Sequence, residues 1–280
     1  MPNETELMAI FEHLPITDDF IFRKVMEDSK LCQEVLERLL NRPIGELQEV
    51  TPQRSFKRTK DGKEIRLDIY SKSNAAVFDT EMQNLGNRTL ESLSLPKRGR
   101  FYQSEIDSDN LDKGVAFNAL PENNVIFICT FDPFDENEPV YIFENVHLGK
   151  KTIPLKDGTY KYFFNLTYQG DDIPKSLNDL YRYMRSGEPT DTLTEKMAEA
   201  VKIARQNKEW RSEYMRASLF EYDCIEEGKA IEHVHTVEAE KRAEKAENRA
   251  SKAESHAKEL EQKLKEAYEL LEKNGIKPEM

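Results

Sequence analysis

Ala239, Ala243, Ala246, Ala250, Ala253, Ala257, Leu260, Leu264, Ala267 and Leu271 recur at steps of four and three residues without a break. Only a helix keeps such a row on one side, and a 4-3 spacing is the seam of a coiled coil. At ~1.5 Å of rise per residue the row is about 50 Å long, too long to be wrapped into a domain core. Glu, Lys and Arg fill its flanks. Ala buries little area, so the seam is weak alone, although Ala, Glu and Lys are good helix formers. Two readings stay open: a solvated single helix, and a coiled coil that joins two chains or folds back. The expectation is the coiled coil, with a homodimer formed through it. Nothing along the row resembles a catalytic site.

Setting the tail aside explains the composition. Of 280 residues, 38% are hydrophobic and 34% charged, too polar a balance for one globular body of that length. The division expected is a core over residues 1–186, a helical extension over 187–230 and the coiled-coil tail over 231–280. Cys32, Cys129 and Cys224 lack metal-ligand spacing and read as reduced thiols, Cys129 in the core. No leader-like or membrane-spanning run is found, so a soluble, cytoplasmic protein with no membrane partner is expected. The net charge of -12 argues against a general nucleic-acid coat protein. An enzyme acting on DNA needs only a local positive strip, because salt screens distant acids.

Periodicity organises the rest. Residues 15–40 hold two amphipathic helices, with Thr17 or Asp18 capping the first and a break at Asp28-Ser29. Strands follow around Val50–Phe56, at Ile65–Tyr70 and at Ala76–Gln83, the first two joined by a turn at Asp61-Gly62. A helix starts near Pro96, and the apolar run from Val125 is a strand buried on both faces. Val140–His147 and Lys161–Thr167 read as strands with a turn at Asp157-Gly158, and helices return over 174–226. The order predicts an α/β core with helical additions.

Charge in two of these strands is the chemical clue. Alternation puts Val77, Asp79, Glu81 and Gln83 on one face and Phe78, Thr80 and Met82 on the other. In the preceding strand Arg66, Asp68 and Tyr70 are expected to face opposite to Ile65, Leu67 and Ile69. An antiparallel pairing then brings Asp68 beside Glu81, where two carboxylates repel unless a cation lies between them. Hard oxygen ligands with open positions suit Mg²⁺ or Mn²⁺, which polarise phosphate and acidify water. The competing reading is a solvated sheet face.

Basic residues flank this pair. Arg54, Lys57, Arg58, Lys60, Lys63 and Arg66 precede it, and either meet DNA phosphates or keep an edge strand from aggregating. Lys97, Arg98 and Arg100 follow it as candidate phosphate contacts, with Phe101 or Tyr102 to stack on a base or sugar. Arg98 and Tyr102 are four apart and share a helix face. No phosphate-binding Gly-rich loop and no Gly-x-Ser-x-Gly elbow is present.

Several of these residues together resemble a known family. Asp68 in the Arg66-Leu67-Asp68 strand, Glu81-Met82-Gln83, and Pro96-Lys97-Arg98 followed by Tyr102 are similar to the Rpn family of recombination-promoting nucleases and transposases, in the PD-(D/E)XK nuclease superfamily. Residues 15–24, Lys113-Gly114 and residues 163–166 fit the same pattern, and the resemblance covers roughly residues 15–230. It implies a restriction-endonuclease-like core, a central mixed sheet flanked by helices, followed by the helical extension and coiled coil. It implies a Mg²⁺-dependent (or Mn²⁺-dependent) DNA endonuclease in which Asp68, Glu81 and the Met82 carbonyl hold the metal and Gln83 positions water. The superfamily usually has Lys where this chain has Gln83. An ammonium orients water and lowers its pKa, whereas an amide only orients it. Glu34 or Glu37 is the expected contribution from the N-terminal helix, and Asp79 is expected to face solvent. The alternative is an inactive nuclease fold used for DNA binding or assembly. A ribonuclease-H-like transposase fits less well, because its acids lie much farther apart in sequence.

Overall fold

The computed structural model describes residues 3–56, 65–84 and 94–273. The turn expected at Asp61-Gly62 and the basic residues Lys57, Arg58, Lys60 and Lys63 lie outside the described residues. The chain forms two compact units, one running through Met215 and the other starting at Arg216.

Three helices open the first unit: α1 (Glu4–Phe11), α2 (Asp19–Met26) and α3 (Ser29–Leu40). Asp18 caps α2, its Oδ1 accepting from the Phe20 and Ile21 N–H groups, and Asp28 caps α3 in the same way. Capping by Asp18 leaves Asp19 as the first residue of the α2 helix. Asn41 ends α3 in the left-handed conformation, a position that Asn tolerates.

The sheet follows. Its strands are β1 (Glu49–Phe56), β2 (Ile65–Lys72), β3 (Ala76–Gln83), β4 (Glu122–Cys129), β5 (Val140–Phe143) and β8 (Thr159–Asn165). They lie in the order β1-β2-β3-β4-β8-β5. The first three are antiparallel neighbours, β3, β4 and β8 run parallel, and β5 returns antiparallel to β8. β3 reaches β4 through the helix α4 (Leu95–Asp109), the kind of crossover a parallel pair needs. The stretch 140–147 is one expected strand but two actual ones. β5 pairs with β8, while β6 (Val146–Leu148) turns away to pair with β7 (Thr152–Pro154). Asn145 sits between them, its amide on Asp157 and Thr159. These bonds hold the chain in a separate hairpin rather than along the sheet.

Each face of the sheet has its own apolar layer. Ile69, Phe78, Met82, Ile126, Ile128 and Phe164 pack against the helical layer of α2, α3, α5 (Lys175–Ser186) and α6 (Thr192–Gln206). Leu67, Tyr70, Val77, Val125, Phe127, Cys129 and Phe163 face the other way, toward Leu95, Tyr102 and Ile106 of α4. β3 and β4 therefore feed two layers by simple alternation. β2 does not: Tyr70 lies in the same layer as Ile65 and Leu67, and Ile69 in the opposite one, against the expected alternation. The reason is local. Pro52 pairs with Ile69 and Arg54 with Leu67, but Gln53 and Asp68 are out of the ladder, and Gln53 has a left-handed φ of 53°. The interruption turns the strand at Asp68.

After α6 the chain enters α7 (Lys208–Lys273). Its first turns belong to the first unit. Tyr214 packs on Phe11 and Phe20 at 5.4 and 5.5 Å between ring centres, and Lys24 reaches Glu213 at 3.1 Å. From Arg216 onward the helix continues unbroken and largely exposed. Among the described residues no helix is long and apolar enough to cross a membrane.

Candidate active site

The interruption in β2 lies opposite the acidic end of β3. The β2–β3 ladder stops at the pair Ile69 and Thr80. The next residues in register are Asp68 and Glu81, and their side chains take over the backbone bonds. The Asp68 N–H donates to Glu81 Oε1 at 3.0 Å, and the Met82 N–H donates to Asp68 Oδ2 at 3.3 Å. The strands open, and the two carboxylates meet in the opening with their backbone donors satisfied.

Arg98 closes one side. It is held on α4, and its Nη2 donates to Glu81 Oε2 and its Nη1 to Gln83 Oε1, both at 3.0 Å. Tyr102, one turn later, accepts from Arg98 Nε and Nη2 at 3.2 and 3.1 Å. The guanidinium also lies over the Tyr102 and Phe127 rings, 5.5 and 5.8 Å from their centres. Gln83 is engaged at both ends, because its Nε2 donates to the Met82 carbonyl at 3.1 Å.

The electrostatics are those of a negative pocket short of positive charge. Burial, then the neighbouring Glu81 and Asp19, push the Asp68 carboxyl up to about 9. Burial also raises Glu81, opposed by the Asp68 N–H and Arg98. Asp79 is a correction: it does not face solvent but is 0% exposed. Neither of its oxygens meets a hydrogen-bond donor among the described residues, and burial, followed by Glu81 and Asp68, raises it well above the usual carboxylate range. Alternation assigns it to the face of Glu81. The sequence does not reveal that α4 covers that face.

Two further expectations are corrected. Glu34 pairs with Lys196 at 2.7 Å, and Glu37 accepts from Gln33 and the Ile44 N–H at 3.1 and 3.3 Å, so neither contributes to the site. The N-terminal helical layer supplies Asp19 instead, whose charge acts on both Asp68 and Glu81. The signal was the doublet Asp18-Asp19: a helix start needs one capping acid, and the second is left over. Asp19 pairs with Arg23 at 3.0 Å. Lys97 and Arg100 are exposed on α4, outside the cluster around Glu81. Arg54 is committed elsewhere, bonded to Glu49 and Asp109 at 2.6 and 2.7 Å with its guanidinium 4.0 Å over Tyr70.

The residues present fit a hard divalent cation. The available donors are oxygens, the carboxylates of Asp68 and Glu81 and the Met82 carbonyl, and burial together with the neighbouring acids holds the Asp68 proton where a cation would replace it. Among the described residues no group of three or more His, Cys, Asp or Glu side chains is arranged to enclose a metal. One or two carboxylates with water and phosphate completing the shell is the pattern of Mg²⁺ rather than of a closed zinc site.

A family model described as PD-(D/E)XK nuclease family transposase matches residues 16–167, more than half of the chain and every residue of this site. No curated protein and no solved structure matches the chain.

Proposed function

The chain belongs to the PD-(D/E)XK nuclease family transposases, and from that premise we propose that it is a metal-dependent DNA endonuclease hydrolysing phosphodiester bonds. The observation that carries this reading is the pair Asp68 and Glu81, interlocked across the opening between β2 and β3. A Mg²⁺ or Mn²⁺ ion held by those carboxylates and the Met82 carbonyl would supply a Lewis acid for phosphate and lower the pKa of a bound water. The protein's own groups do the positioning. The Asp68 and Met82 N–H bonds fix the two carboxylates before substrate arrives. Arg98 has five N–H groups; those on Nε and Nη2 and one on Nη1 are engaged, which leaves one Nη1 N–H for a phosphate oxygen. Tyr102 holds that guanidinium in place. Gln83 orients water by its amide and adds no positive charge. Lys97 and Arg100 extend the phosphate contacts along α4. In the full assembly, two copies join through the coiled-coil tail.

One feature favours a second reading, an inactive fold that binds DNA or assembles. The Gln83 amide nitrogen is engaged by the Met82 carbonyl and its oxygen by Arg98. Cleavage of supercoiled plasmid with Mg²⁺, Mn²⁺ and Ca²⁺ separates the two. Nicking or linearisation with Mg²⁺ or Mn²⁺, abolished in folded Asp68→Ala and Glu81→Ala, is expected. Intact plasmid under every ion, with calorimetric Mn²⁺ binding still lost in Asp68→Ala, leaves the binding module.

A further inference from the structure

The helix α4 has two working flanks, and only one faces Glu81. Gly99 presses the helix onto the sheet: a Cβ there would lie 3.3 Å from both Lys161 Cδ and Phe127 Cε2. On the flank away from Arg98, a cleft of about 640 Å³ opens between α4, β8 and β5, lined among others by Arg100, Gln103, Phe134, Phe143, Lys161 and Phe163. That volume lies within the ~300–1,000 Å³ range of small-ligand sites.

The cleft combines aromatic faces with two cationic side chains, Lys161 and Arg100. Phe134, Phe143 and Phe163 pack on one another with ring centres 5.0 to 5.6 Å apart, and Phe143, on the edge strand β5, is 44% exposed. Lys161 is half-buried, and its side chain has no ion pair or hydrogen bond among the described residues. Burial lowers its pKa; Asp157 opposes the shift and Arg100 adds to it. The lining also holds three acids against the two cations, and the two inner acids are bonded only to neutral donors. Asp157 accepts from Asn145 and Thr159 at 2.7 and 3.1 Å, and Asp107 accepts from Asn123 at 2.7 Å, while Glu144 stands exposed at the rim. An occupant that satisfies this lining carries a flat π-face and an anionic group.

We propose that the cleft between α4, β5 and β8 binds an unpaired nucleotide of a DNA strand, with its base against Phe143 and its phosphate on Lys161 and Arg100. A base inside a duplex has both faces covered by stacking, so Phe143 takes one only from a single strand, an end or a flipped-out position. The flanks of a helix are ~10–12 Å apart, about three nucleotides at ~3.4 Å of rise. A strand crossing α4 from the cleft to the flank of Arg98 spans at least that distance. That this strand is the one being cut rests on the nuclease reading; that the cleft takes a nucleotide does not.

Fluorescence anisotropy with a labelled single-stranded 20-mer, its blunt duplex and competing dAMP tests this, using the full chain in EDTA so that no cleavage enters. Phe143→Ala is expected to weaken single-strand binding roughly 5- to 150-fold, the span of base–aromatic stacking, and Lys161→Met to weaken it and flatten its salt dependence. Duplex binding by Phe143→Ala should stay within about twofold. Arg100→Gln, at an exposed position, gives the same loss as Lys161→Met if that half-buried variant fails to fold. Unchanged single-strand binding in the folded variants overturns the proposal, as does an equal loss for strand and duplex in Phe143→Ala. Displacement of the strand by an equal concentration of dAMP overturns the strand as occupant and assigns the cleft to free nucleotides. An inert plasmid in the cleavage assay leaves this result standing, and the reverse also holds.

Discussion

All eight residues of β3 are buried, and Asp79 and Glu81 are among them. In α7 beyond Arg216 nearly every described residue is exposed, although Glu, Lys and Arg dominate the sequence there. Charges on the helix pair along its own surface, Lys229 with Glu226 at 2.9 Å, Lys258 with Glu254 at 3.1 Å and Lys263 with Glu259 at 2.7 Å. Such exposed pairs stabilise little and come from local spacing alone. On β3 each carboxyl answers to other elements or to its neighbour: Glu81 has Arg98 of α4 and the Asp68 N–H of β2, and Asp79, with no donor among the described residues, is raised by burial and by Glu81. Burial raises all three carboxyls of this cluster, and titratable groups perturbed together at one place point to chemistry there. Solvated charge carries no such information.

The contrast can be broken at three levels. The largest effect belongs to packing under the site. Phe78→Ala removes a fully buried ring and should cost ~3–5 kcal/mol of core stability in urea unfolding; a loss under about 1 kcal/mol would mean that β3 is not the central buried strand. The next concerns pH. A carboxyl whose folded value is about 9, against 3.8 unfolded, binds its proton more tightly in the folded chain. Its contribution to stability therefore declines as pH rises through that window. Metal-free Asp68→Asn should show a flatter fall in melting temperature than the parent between about pH 5 and 8, and Mg²⁺ should flatten the parent. Parallel curves would remove Asp68 as the source of the negative field. The smallest effect on the core is expected from the tail. Ending the chain after residue 230 should shift core stability by no more than about 0.5 kcal/mol, while light scattering records a drop from dimer to monomer mass. A full-length chain that is already monomeric removes the coiled coil.

Legibility in the sequence followed the range of the interactions. The paired helices of residues 15–40 were readable, with the first cap narrowed to Thr17 or Asp18 and a break at Asp28-Ser29, because a cap and a periodic face are written within a few residues; the structure makes Asp18 and Asp28 the caps. So was the two-layer use of β4, whose uninterrupted apolar run admits few other places. The site was readable in part. Asp68 and Glu81 could be brought together by alternation and an antiparallel turn. The same rule misplaced Tyr70, because the ladder breaks at Gln53 and Asp68, and nothing in either strand announces the left-handed φ at Gln53. Asp79 went wrong for a different reason. Alternation tells which face a residue occupies and not what lies over that face.

By itself the sequence determined where the paired helices of residues 15–40 break and which residues of β3 and β4 share a side. These depend on backbone geometry and on side chains a few positions away. Only the tertiary structure decided that Asp19 and not Glu34 or Glu37 faces Asp68, that Arg98 sits on Glu81 and Gln83, and that Asp79 is sealed from water. Desolvation and charge pairing depend on what packs within a few ångströms, and that neighbourhood is assembled from α2, β2, β3 and α4, segments far apart along the chain.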